Sequence, residues 1–128
     1  MPSLTERREF QRFKIPDAKV LFLQEEDSRG TKRVSGEGLI ENCSVKGIRF
    51  ITETKLQSGV KVKLELVIPA KEPVTLEGNI IWCSVLSYKN RTIAVAEFAP
   101  FGEGQGYNPM AVKTDLEKIA GEYLAASV

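Results

Sequence analysis

Two groups of side chains near the start of the chain are suited to holding an anionic or guanine-bearing ligand. The first is Arg7, Arg8 and Arg12; the second is the compact run Asn42-Cys43-Ser44-Val45-Lys46-Gly47. Arg8 and Arg12 are four apart, so one helical turn or a tight arm sets both guanidinium groups on one side. A guanidinium presents a planar fork of donors that matches two phosphate oxygens, or the O6/N7 edge of guanine; lysine offers the charge without that geometry. On extended chain Asn42 and Ser44 face one side and Cys43 the other. Both polar groups can bond a base edge, a phosphate or nearby backbone. Gly47 permits either a positive φ or the close approach of a ligand. Taken singly, each group has a plainer explanation: a solvated charged terminus for the arginines, an ordinary turn for Asn, Ser and Gly.

The chemistry that can be excluded narrows the field. The 128 residues contain no histidine, which removes Ser-His and Cys-His nucleophilic catalysis and histidine-ligated zinc. Cys43 and Cys83 are too few for a four-thiolate site and lack CxxC spacing; they are expected to behave as small core hydrophobes. Asp115, Glu117 and Glu122 read as a solvated helix face, and no carboxylate pair suggests acid-base work. Catalysis is therefore not expected. Eighteen basic side chains against 17 acidic ones leave a net charge of +1, so neither DNA nor RNA is expected as a partner. MPSLTERREF has no apolar core, and no apolar run reaches the roughly 20 residues of a membrane span. A cytoplasmic protein without membrane insertion is expected.

The elements that must position these residues are short strands. Ala18 to Leu23, Val34 to Glu41, Gly47 to Thr52, Val60 to Ile68, Val74 to Val85 and Arg91 to Phe98 are β-rich runs separated by turn signals. Val60, Val62, Leu64, Leu66 and Ile68 alternate with mostly charged residues, which gives an apolar inner face. Gly36 and Gly38 suggest a bulge or a close backbone approach, and Gly78 a bend. Six strands with short connections predict a closed antiparallel barrel, whose closure removes aggregation-prone edges. Gly102 to Gly106 reads as a flexible break, and Asn108-Pro109 as an N-cap before a helix. Val112, Leu116, Ile119, Ala120 and Tyr123 fall on one face of that helix. The expected organisation is an arm at 1–13, a barrel at 14–100, and a Gly-rich linker with a C-terminal helix packed on the barrel at 101–128.

An RxxxR arm, one intervening strand, and then NxSxxG leading into Ile48-Arg49-Phe50-Ile51 resembles the PilZ family, whose pattern is RxxxR followed by (D/N)xSxxG. The resemblance covers about residues 6 to 100. It implies an all-β, six-stranded antiparallel barrel of bacterial origin that serves as a receptor for the second messenger cyclic di-GMP. By the same resemblance Arg8 and Arg12 bind phosphate and the guanine face, Asn42 a guanine edge, and Ser44 the ligand, while Gly47 takes the glycine position. Asn stands at position 42 where Asp is commoner; a neutral amide holds guanine N1–H and N2–H less strongly than a carboxylate does. In the family an arginine just before the motif accompanies an intercalated ligand dimer, so Arg7 implies two ligand molecules per chain.

Trp82 is a further candidate for stacking on a purine, and Arg49 for facing the ligand. Phe50, Phe98 and Tyr88 read as packing. The expected action is an arm that closes on ligand against the Asn42 to Gly47 turn and so signals to a separate downstream protein. Two other readings use the same residues: a small barrel that binds oligonucleotides, and a PilZ-like adaptor without a ligand.

Overall fold

Alternation of buried and exposed side chains sets the architecture. In β4 (Lys61–Val67) Val62, Leu64 and Leu66 are buried while Lys61, Lys63 and Val67 face out, the period of two read from the sequence. The computed structural model describes residues 11–25, 33–86 and 90–126. The remaining strands are β1 (Lys19–Gln24), β2 (Val34–Cys43), β3 (Gly47–Thr52), β5 (Val74–Leu86) and β6 (Arg91–Phe98). They close in the order β1-β2-β3-β6-β5-β4, every pair antiparallel. A helix, α1 (Met110–Ala126), follows.

The barrel interior is one apolar cluster. Phe50, Leu64, Leu66 and Ile80 fill it, with Phe22 tilted against Phe50 at 5.6 Å between ring centroids. Gly36 and Gly38 make room for these rings: a Cβ on Gly38 would stand 2.8 Å from the Phe50 ring and 2.7 Å from the Ile51 carbonyl. Their role is close approach. The bulge in β2 falls instead at Glu41, and that in β5 at Ile81 rather than near Gly78. Phe98 is buried with Phe50 as expected; Tyr88 lies outside the described residues.

The helix joins the same core through Leu116, Ile119 and Ala120, while Val112 and Tyr123 pack at its margin. Lys71 Nζ meets Glu122 Oε2 at 2.8 Å and fastens its far end. The expectation for Asn108 needs correcting. Its side chain is buried and turned away from the helix: Oδ1 accepts from the Glu77 N–H (2.8 Å), and Nδ2 donates to the Glu77 carbonyl (2.9 Å) and the Ala99 carbonyl (3.1 Å). The amide satisfies both backbone groups of a barrel strand, which a helix cap does not require. Gly102 to Gly106 is thereby drawn into a closed loop, with Gly102 N–H bonded to the Asn108 carbonyl and Asn108 N–H to the Pro100 carbonyl. Gly104 and Gly106 there adopt positive φ.

Cys43 and Cys83 are free thiols, and burial pushes the Cys43 thiol up to about 12. The folded chain keeps this proton above pH 9.0, where an unfolded cysteine releases it, so stability declines as pH rises from about 9 toward 12. Urea melts across that window should show the decline, lessened in Cys43→Ala. Asn108→Ala removes the side-chain partners of the Glu77 N–H and the Ala99 carbonyl, while the Glu77 carbonyl keeps the Ala99 N–H, and should cost about 1–3 kcal/mol, read as a lower urea midpoint at unchanged slope.

Candidate ligand-binding site

The site is built where the chain enters the barrel. Phe13 N–H donates to the Cys43 carbonyl and Cys43 N–H to the Phe13 carbonyl, both at 2.8 Å. Phe13 and Cys43 are buried, and the Phe13 ring lies nearly parallel to Tyr123 of α1 at 6.4 Å. Alternation along both chains therefore sends their neighbours, Arg12 and Asn42, to the outer surface. There Arg12 Nη1 donates to Asn42 Oδ1 at 3.2 Å.

The bulge at Glu41 completes this face. An extra residue in β2 leaves Glu41 and Asn42 both half-exposed and sets Asn42 opposite Arg49 of β3. Arg49 Nε lies 3.5 Å from Glu41 Oε1, so its charge is balanced beside the site. β2 then gives way to the turn. Ser44 N–H donates to the Gly47 carbonyl at 2.9 Å, while Ser44 Oγ accepts from Lys46 N–H (3.1 Å) and Gly47 N–H (3.2 Å). A hydroxyl has two lone pairs and one hydrogen; with the lone pairs committed to the turn, the hydrogen is what Ser44 can offer a ligand.

Gly47 does not use a positive φ. A Cβ there would collide with the Ala96 carbonyl of β6, so glycine lets two strands come together under the turn. The left-handed conformation is thus not adopted, while Gly47 also lines the open cleft beside the turn. Phe98 N–H bonds the Lys46 carbonyl at 2.8 Å and ties the turn to β6.

Arg12, Asn42, Ser44 and Gly47 thus meet in one open cleft of about 230 Å³. Ile81 and Val95 supply apolar wall, and Lys46 and Glu97 supply charge of both signs. Arg7 and Arg8 lie outside the described residues. Arg49 and Trp82 are not on the cleft wall. Cross-strand pairing runs Asn42–Arg49, Arg49–Val95 and Val95–Trp82, which places all four in one row on the outer face. Trp82 is therefore three strands away from Asn42 around the barrel. Trp82 is 47% exposed and Ile81 52%, because the bulge turns both outward. Sequence reasoning missed Ile81 and Glu97: neither belongs to a motif, and only the pairing of β5 and β6 brings them here.

A barrel with a basic arm bound to an NxSxxG turn has known counterparts. The family model described as PilZ domain matches residues 6–99, and the chain belongs to that family. Among solved structures it is similar to the PilZ domain of YcgR from Escherichia coli with c-di-GMP, at 18% identity and TM-score 0.61, over 94% of each chain. It is also similar to the inhibitor of motility MotI/DgrA of Bacillus subtilis, at 15% identity and TM-score 0.65, over 98% of this chain and 57% of that one. The MrkH–c-di-GMP complex of K. pneumonia matches at 14% identity and TM-score 0.64, over 91% and 52%. The chain therefore spans little more than half of those two proteins. A sequence search of curated proteins found no match. No helix among the described residues is long and apolar enough to cross a membrane.

Gly47→Ala forces β3 and β6 apart and should cost about 1–3 kcal/mol. Ser44→Ala, which only removes the acceptor for two turn N–H groups, should cost about 1 kcal/mol. Thermal melts of the two variants should rank them in that order.

Proposed function

We propose that this protein is a cytoplasmic cyclic di-GMP receptor, with Arg8, Arg12, Asn42 and Ser44 as its principal ligand contacts. The observation that carries this reading is the 3.2 Å contact between Arg12 Nη1 and Asn42 Oδ1 at the mouth of the cleft. It sets a phosphate-binding fork beside a base-binding amide and a hydroxyl donor, in a chain of the PilZ family. That YcgR and MrkH are described with c-di-GMP supports the same ligand here. Cyclic di-GMP brings two phosphates and two guanines, which suits guanidinium groups able to meet either.

Two ligand molecules bind per chain, with Arg7 contributing to the second. Arg49 and Trp82, on the row that leads away from Asn42, offer a cation and an aromatic face to a stacked base. The residues that precede Phe13 act as an arm that closes over the ligand, with Phe13 as its fixed root. The effect reaches a separate partner protein through the arm, and through Phe13, whose ring rests on Tyr123 of the helix.

Calorimetry tests the reading. Cyclic di-GMP should bind with two molecules per chain and raise the melting temperature, whereas single-stranded DNA leaves it unchanged. Arg8→Ala, Arg12→Ala and Asn42→Ala should each weaken binding by about tenfold or more. One molecule per chain contradicts the stoichiometry; no heat at all contradicts the receptor assignment. Amide exchange in the arm should slow on ligand addition, and equal protection in both states would argue against closure.

A further inference from the structure

We infer that Glu97 reads the Watson–Crick edge of a bound guanine and sets the base specificity of the site. This inference rests on the cyclic di-GMP reading above. Three observations place Glu97. It stands opposite Gly47 in the pairing of β3 with β6, so it is held beside the NxSxxG turn. The backbone bond from Phe98 N–H to the Lys46 carbonyl, at 2.8 Å, fixes the strand at the next residue. Its neighbours Ala96 and Phe98 are buried, so Glu97 projects to the outer face, where it lines the same cleft as Arg12, Asn42 and Ser44. Among the described residues its carboxylate has no ion pair or hydrogen bond.

Chemistry explains why such a group is needed. Guanine presents two adjacent donors, N1–H and N2–H, on its Watson–Crick edge. Asn42 has a single acceptor atom, and one of its two lone pairs already receives Arg12 Nη1, so it can take only one of the two donors. A carboxylate offers two oxygens side by side and can take both donors at once. Adenine has an unprotonated N1 on the corresponding edge, which a carboxylate repels. Arg12 and Lys46 on the same cleft offset the unfavourable field that Glu97 exerts on the ligand's phosphates.

A carboxylate that reads the base and one that merely stands near the phosphates predict opposite signs on neutralisation. The experiment is calorimetry of the full chain and of Glu97→Gln and Glu97→Ala with cyclic di-GMP, cyclic di-IMP (which lacks the guanine N2 amino group) and cyclic di-AMP. Melting curves confirm that both variants are folded; Glu97 is exposed and neither substitution touches the core. The wild type should prefer cyclic di-GMP to cyclic di-IMP by about tenfold. Glu97→Gln and Glu97→Ala should weaken cyclic di-GMP binding by about tenfold and reduce that preference toward one. Unchanged or tighter binding of cyclic di-GMP by the variants overturns the inference, as does an equal loss for all three ligands. A wild type that gives no heat with cyclic di-GMP overturns the receptor reading itself and this inference with it, an outcome distinct from the others.

Discussion

The pair of backbone hydrogen bonds between Phe13 and Cys43 is the constraint on which the site depends. Those two 2.8 Å bonds anchor the incoming chain to the end of β2 and put both residues in the core. Once Phe13 and Cys43 face inward, the alternation of extended chain sends Arg12 and Asn42 outward together. The arginine and the amide meet because the residues beside them are hydrophobic. A polar replacement at position 13 or 43 would disturb the site without touching a ligand-facing atom.

Two further local devices refine this frame. Bulges at Glu41 and Ile81 each rotate one more side chain onto the outer face, so an acid sits beside Asn42 and an apolar residue enters the cleft. Glycine acts by omission: Gly36 and Gly38 leave space for Phe22 and Phe50 inside, while Gly47 lets β3 and β6 close under the turn. The cleft is thus an outer-surface feature whose shape is set by packing within the barrel. The helix is coupled to it through Tyr123 and Phe13, and to the barrel through the amide of Asn108.

Much of this was legible in the residues. β-rich runs between turn signals marked all six strands to within a few positions, and period-two alternation marked the fourth, because its two faces differ so sharply in polarity. The motif residues Arg12, Asn42, Ser44 and Gly47 could be singled out because their types and order are informative together. What could not be read depends on pairing between distant strands. Nothing local to Glu97 or Ile81 says which turn they will face, and a bulge shifts register with no composition signal. Asn108 resembled a helix cap because Asn-Pro before an amphipathic run satisfies the local rule, yet the backbone of β5 at Glu77 competed for the same amide and won. The glycine of the NxSxxG turn has a structural reason that its local sequence does not show, since the backbone of β6 passes directly against it.

The central claim is that the arm, the turn and the end of β6 form one ligand site on the outer face. The most direct measurement is a 15N-edited NMR titration of the protein with cyclic di-GMP. The large amide shifts should cluster at Arg12, Asn42, Ser44, Gly47 and Glu97. Shifts clustered instead at the cleft lined by Gly36, Gly38 and Arg91, on another part of the barrel surface, would contradict it.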